Sequence, residues 1–231
     1  MHRIFKWFGP LVCLFCMVGA ARAASICDST SGNIVTNCGF ESGSFSGWSV
    51  TGNLYGGIGG NYVGVDNSNP NSGNYEAYLG APSEYGQTGT PGDDTYGPVT
   101  TLSQTLAGTP GEIYEVTFYL DNTGCSVSDP DCPGYYNYFD ASFNGQVLMQ
   151  QDNLNETDTY NEYVFVVTAS YHPELNDYLL QFDSTNDDGY FYLDDVSVQG
   201  LGLATPEPSS LALLGTGLLG TVGVLRRKFS R

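Results

Sequence analysis

Between Ala24 and Pro206 the chain has no lysine and no arginine. The seven basic residues all lie at the two ends: Arg3, Lys6 and Arg22 at the start, Arg226, Arg227, Lys228 and Arg231 at the finish. The same stretch holds every acidic residue except Glu207, 24 of the 25, and one histidine, His172. A body of this kind forms no internal Lys or Arg salt bridge, so its carboxylates are solvated, bonded to amides and hydroxyls, or neutralised by bound cations. Nucleic acid is excluded as a partner, because phosphate affinity comes chiefly from Lys and Arg. Lysine Schiff-base chemistry and cationic phosphate clamps are excluded with it. One direct consequence is that trypsin has no cleavage site in residues 24–205, even in denaturant. A tryptic cut there, read by mass spectrometry, would show that the limits of the body are misplaced.

Other absences bound the fold. No apolar pattern with a 3.6-residue period is sustained in the body, which argues against long amphipathic helices. Trp48 is its single tryptophan and, in Gly47-Trp48-Ser49-Val50, is expected in the core or between sheets. Cys27, Cys38, Cys125 and Cys132, the cysteines of the body, form no C-x2-C knuckle, so they do not suggest a thiolate metal site.

Residues 1–23 have a basic start, an apolar stretch from Phe8 to Val18 and the triplet Ala21-Arg22-Ala23, the layout of a secretory signal served by the Sec export machinery. Cleavage after Ala23 removes Cys13 and Cys16 and leaves Cys27, Cys38, Cys125 and Cys132 in an oxidising compartment. Of the three possible pairings, Cys27–Cys38 with Cys125–Cys132 is expected, because each closes a short loop rich in Gly, Asp, Ser and Pro. Loops this short gain roughly 2–3 kcal/mol from closure.

What is present is alternation. Tyr114, Val116, Phe118 and Leu120 share one parity, as do Tyr163, Phe165 and Val167, and Tyr178, Leu180 and Phe182. Asn144-Gly145 between two extended runs predicts a two-residue hairpin. With further runs at 33–37, 47–52, 74–80, 100–106 and 190–198, nine or ten short strands are expected, the pattern of an all-β sandwich over residues 24–203.

The opening Asn33-Ile34-Val35-Thr36-Asn37-Cys38-Gly39-Phe40-Glu41, followed by Trp48, resembles the first strand of jelly-roll domains akin to the carbohydrate-binding modules of families 4, 9 and 22. Residues 102–120 and the closing 190–198 resemble later strands of those modules in the same order. The resemblance implies a galactose-binding-like jelly roll, with Cys38 departing from the usual glycine. It also implies a structural calcium ion held by Glu41 and Asp194. The residues themselves agree in part: Asp194 has the numerical parity of Val196 and Val198, which directs it to the core side, and hard oxygen ligands suit calcium. For sugar contact, Tyr135, Tyr136 and Tyr138 offer aromatic faces that stack on CH groups without charge.

At the other end, Pro206-Glu207-Pro208, the 17 uncharged residues 209–225 and the basic Arg226-Arg227-Lys228 resemble a PEP-CTERM sorting segment over 204–231. As a helix, 209–225 is about 26 Å long and only just crosses a hydrocarbon core of roughly 30 Å. The basic end sets the body outside. The resemblance implies an exosortase-type membrane protease as partner, transient inner-membrane anchoring, and release to the cell surface or extracellular matrix. The functional expectation is an exported, non-catalytic matrix or surface protein associated with exopolysaccharide. The rivals are a carbohydrate-binding module with a defined glycan and a secreted hydrolase.

Overall fold

A computed structural model describes residues 24–52, 55–56, 60–81, 100–124, 137–152, 154–157, 159–169 and 177–203. The secretory signal, Cys125 and Cys132, Tyr135 and Tyr136, His172 and the sorting segment with its 209–225 helix lie outside the described residues. Among the described residues no helix is long and apolar enough to cross a membrane.

Among the described residues a 3-10 turn, Cys27–Ser29, precedes eleven strands: β1 (Ser49–Thr51), β2 (Tyr55–Gly56), β3 (Gly60–Asn61), β4 (Val63–Asp66), β5 (Glu76–Ala81), β6 (Thr100–Ala107), β7 (Glu112–Asn122), β8 (Asn137–Phe143), β9 (Gln146–Asp152), β10 (Asn161–Thr168) and β11 (Asp177–Leu203). β2 and β3 form a separate two-stranded ribbon. The long β11 serves two layers. Residues 177–186 pair with β6 and β8, while residues 191–203 pair with β5 and β7. With β1 beside β6 and β9 beside β8, the first layer runs β1-β6-β11-β8-β9. With β4 beside β5 and β10 beside β7, the second runs β4-β5-β11-β7-β10. All pairs are antiparallel, and the result is a jelly-roll β-sandwich.

The alternation seen in the sequence becomes the core. Tyr114, Val116, Phe118 and Leu120 of β7 and Tyr178, Leu180 and Phe182 of β11 are buried. Phe118 spans the layers: its ring lies 5.2 Å from that of Phe182 and 6.1 Å from that of Phe139 in the first layer, and 5.4 Å from that of Tyr163 beside it in the second. Trp48 is in this core, packed on Phe40 and Phe182, with its indole N–H donating to the Asn37 carbonyl at 3.2 Å. Asn144 and Gly145, with φ of 50° and 75°, make the expected hairpin between β8 and β9. The stretch 33–37, expected as a strand, contributes only an isolated bridge from Asn33 to Gln199, together with a bond from the Ile34 N–H to the Val198 carbonyl. Gln104 captures it instead, accepting from the Thr36 N–H at 2.7 Å and donating to the Thr36 carbonyl at 2.9 Å. Cys27 and Cys38 are disulfide-bonded, with Cα atoms 6.0 Å apart, which ties the N-terminal turn to the sandwich.

Candidate functional site

The side chains of interest lie on the solvent side of the second layer. Register places Asp66 opposite Glu76, Tyr78 opposite both Gly64 and Tyr192, and Tyr192 also opposite Asp121. The odd-numbered neighbours Val63, Ala77, Leu79, Phe191 and Leu193 fill the core, so the residues between them face outward. A β-bulge then changes the phase of β11. Asp195 has φ of +49°, and register with β7 slips between Asp194 and Ser197. Leu193 and Val196 both reach the core, whereas Asp194 stands on the outer face. The parity argument that sent Asp194 to the core side is therefore corrected: it counts through a residue that breaks the alternation.

Asp194 is nonetheless wholly buried, because residues 67–75 and the N-terminal turn cover it. Six carboxylates clasp that connection between β4 and β5. Asp66 accepts from the Ser68 N–H and Glu76 from the Asn69 N–H at 2.7 Å, while the single Ser68 hydroxyl lies within hydrogen-bond reach of both, 2.8 Å from Asp66 and 3.0 Å from Glu76. Asp121 accepts from the Asn69 amide at 2.9 Å. Asp194 accepts from the backbone N–H groups of Asn71 and Ser72, and Asp195 from the Asn71 amide and the Ser72 hydroxyl. Glu41 accepts from the N–H groups of Asn74 and Tyr75 and from the Asn74 amide. Asp195 also accepts from the Ser25 hydroxyl and the Cys27 N–H, drawing the N-terminal turn into the same cluster. Such a clasp uses neutral donors throughout, as a body without Lys or Arg requires.

The electrostatic cost is visible in two acids. Burial, and then the neighbouring Asp195, push Asp194 up to about 8 despite its bonds to backbone N–H groups. Burial, and then Asp66, push Glu76 up to about 7. Burial also acts to raise Asp66, but its bonds to Glu76 and Ser68 outweigh this and hold it below the usual carboxylate range. Between these acids sits Tyr160, whose buried hydroxyl has no hydrogen-bond partner. Burial, followed by the fields of Asp194, Glu76 and Asp121, keeps it firmly protonated.

Beside the acids lies an aromatic surface. Tyr78, Tyr190 and Tyr192 are half-buried and adjacent, with ring centres 5.4 Å apart for the first two and 6.2 Å apart for the last two. Their rings lie low because glycines sit beneath them. A Cβ at Gly64 would meet the Tyr78 hydroxyl at 2.2 Å, and one at Gly80 would meet the Tyr190 ring at 2.8 Å. Sequence reasoning missed this trio. The Tyr190-Phe191-Tyr192 alternation carries part of the signal, but the pairing with Tyr78 depends on β5 register.

Of the tyrosines expected to contact sugar, only Tyr138 is described, and it lies on the other layer's outer face. There Gln150 donates to its hydroxyl at 3.3 Å. Asp183 lies on the same face, accepting from Thr101 and Gln181. Glu41 and Asp194 are brought to one connection, at Asn74–Tyr75 and Asn71–Ser72 respectively. Their carboxylate chemistry suits a hard divalent ion, although N–H groups point at the same oxygens. Among the described residues, the one group of three His, Cys, Asp or Glu side chains with ligand atoms all within 4.8 Å is Cys27, Asp28 and Cys38, whose sulfurs are bonded to each other.

Residues 204–228 match the PEP-CTERM protein-sorting motif, which marks an exported protein sorted by an exosortase. No curated protein matches the chain. Similar solved structures include the enzymatically active domain of the bacteriophage CBA120 tailspike protein 4, at 17% identity and a TM-score of 0.49. That match covers 73% of this chain and 21% of the tailspike domain's chain, so it spans about a fifth of that domain's length. TmCBM61 in complex with β-1,4-galactotriose matches at 19% identity and a TM-score of 0.46, over 74% of this chain and 99% of the module. The CBM22-1 xylan-binding domain of Paenibacillus barcinonensis Xyn10C matches at 16% identity and a TM-score of 0.46, over 75% and 97%.

Proposed function

We propose that the chain is a non-catalytic protein of the cell surface or extracellular matrix that contacts polysaccharide through the tyrosine-bearing face of its second layer. The observation that carries this reading is the half-buried trio Tyr78, Tyr190 and Tyr192 on the solvent side of a sheet, set low over Gly64 and Gly80. Aromatic faces arranged in this way stack on sugar CH groups, and the flanking carboxylates accept from hydroxyls. The sorting motif supports export of the body, as a surface or matrix role requires. Hydrolysis is disfavoured by the same geometry. Asp66 and Glu76 are the two acids held apart in titration, as an acid and a base would be, yet Glu76 is fully buried and cannot reach a glycosidic oxygen.

The test is affinity electrophoresis of the exported protein through gels containing neutral, acidic and amino-sugar polysaccharides in turn. Retardation in at least one gel is expected. Replacing Tyr190 and Tyr192 together by Ala should weaken it about tenfold or more, since 1.4 kcal/mol is a factor of ten and each stacked ring contributes of that order. Equal mobility of the double variant and the parent would sink the proposal. Loss on Tyr138→Ala alone would move the contact to the first layer.

The reading extends to calcium at Glu41 and Asp194, where the support is two carboxylates converging on residues 71–75 in a body with no fixed cation. A melting temperature for the exported protein that is the same in calcium and in chelator, at moderate salt, would remove that ion.

A further inference from the structure

Beyond the Glu41 and Asp194 pair, the clasp contains a second place where an anion is left without a counterpart. Glu76 is fully buried, and its two oxygens are treated unequally. Oε1 accepts from the Asn69 N–H and lies 3.0 Å from the Ser68 hydroxyl, while Oε2 has no hydrogen-bond partner. The Ser68 hydroxyl also lies 2.8 Å from Asp66 Oδ1. A hydroxyl carries one hydrogen, so it can donate to only one of these two carboxylates, and the other contact sets lone pair against lone pair. With both acids ionised, the hydrogen bond that joins Asp66 to Glu76 has lost its proton, and no Lys or Arg in the body can supply the positive charge then missing between them.

We propose that Asp66, Ser68 and Glu76 form a cation site, separate from Glu41 and Asp194, that takes a hard divalent ion such as calcium. The ligand set is two carboxylates and a hydroxyl, with the orphaned Glu76 Oε2 as the strongest free acceptor. Oxygen ligands of this kind, carrying two negative charges, suit calcium, and waters complete its flexible coordination shell. Access needs little movement. Asn67, Ser68 and Asn69, the turn that covers the acids, are themselves exposed. Binding would also settle the Ser68 conflict, because an ion accepts lone pairs from both carboxylates and from the hydroxyl at once. Asn69 would then remain free to hold Glu76 through its N–H and Asp121 through its amide, as it does already.

The two acids could alternatively share a proton in place of an ion, and the experiment separates these cases. The exported protein is stripped with chelator, dialysed at pH 8, and titrated with calcium by calorimetry, with magnesium as the comparison. The expected result is calcium uptake in which Glu76→Gln loses one equivalent or weakens it by at least about tenfold, as removal of a charged ligand from such a site does. Asp66→Asn should do the same, which guards against a defect peculiar to one variant. Glu41→Gln should leave that equivalent in place. Identical stoichiometry and affinity in the parent and in both Glu76→Gln and Asp66→Asn would overturn the proposal. So would an absence of calcium uptake by the parent, which would leave the pair bridged by a proton only.

Discussion

In chelator, the melting temperature of the exported protein is expected to fall by roughly 10–20 °C as pH rises from 4 to 8, the reverse of acid denaturation. Most folded proteins lose stability in acid because paired carboxylates must be protonated. Here two buried acids hold their protons more tightly in the folded state than in the unfolded chain. Glu76 is raised from 4.5 to about 7, by burial first and Asp66 second, and Asp194 from 3.8 to about 8, by burial first and Asp195 second. Below about pH 3 both groups are largely protonated in either state and cost nothing. Between the unfolded and folded values the unfolded chain releases protons that the folded one keeps, so the folded state binds more protons and stability falls with rising pH. Above about 8 both states are ionised and the loss levels off. Asp66 is shifted the other way and contributes stability that is lost only in stronger acid, outside this window.

At ~1.4 kcal/mol per unit, and discounting for relaxation of the residues that cover the acids, the combined loss is on the order of 5 kcal/mol. For a domain of this size each kcal/mol moves the midpoint by roughly 2–4 °C. Differential scanning calorimetry at fixed ionic strength measures it. Glu76→Gln cannot ionise and should match the parent at pH 4–5 while melting higher at pH 8. A midpoint that rises steadily from pH 4 to 8, in the parent, would show that these acids are not buried as described.

The layers of the sandwich were legible because strand alternation is a local property. Tyr114 to Leu120, Tyr163 to Val167 and Tyr178 to Phe182 each keep one parity throughout their pairing, so the core face could be read without knowing the partners. Asn144-Gly145 was legible for the same reason, since a two-residue turn declares itself through the conformations its residues tolerate. Cys27 with Cys38 followed from the shortness of the loop between them. What could not be read was whatever depends on distant register or on a break in alternation. Asp194 was expected to be buried and is, but on the opposite face, because one residue of positive φ at Asp195 reverses the count. The convergence of Asp66, Glu76, Asp121, Asp194, Asp195 and Glu41 on nine residues, 67–75, has no sequence spacing that announces it. The tyrosine trio likewise forms only when β11 lies beside β5.

Asp195→Ala should be among the most damaging single changes available, with an expected cost of roughly 3–5 kcal/mol. The residue is almost wholly buried, and its carboxylate joins three segments that are far apart in sequence: Ser25 and Cys27 at the N-terminus, Asn71 and Ser72 in the clasped connection, and β11 itself. Alanine would leave these donors unpaired in a dry site, each at about 1–3 kcal/mol before relaxation. It would also place a β-carbon at φ of +49° without the side-chain bonds that justify it. Two companion variants separate these contributions. Asp195→Gly relieves the backbone and still loses every bond, so it should recover at most about 1 kcal/mol. Asp195→Asn keeps the shape and tolerates positive φ, but presents an N–H₂ where Ser25 or Ser72 needs an acceptor, and should fall between Ala and the parent. Hydrogen exchange locates the damage: protection of the Cys27, Asn71 and Ser72 amides is expected to drop far more than that of Val116 and Phe118 in β7. If Asp195→Ala instead unfolds at the parental denaturant midpoint with those amides still protected, the N-terminal turn and the clasped connection are held by the Cys27–Cys38 bond and by Asp194 and Glu41, and the carboxylate of Asp195 is dispensable.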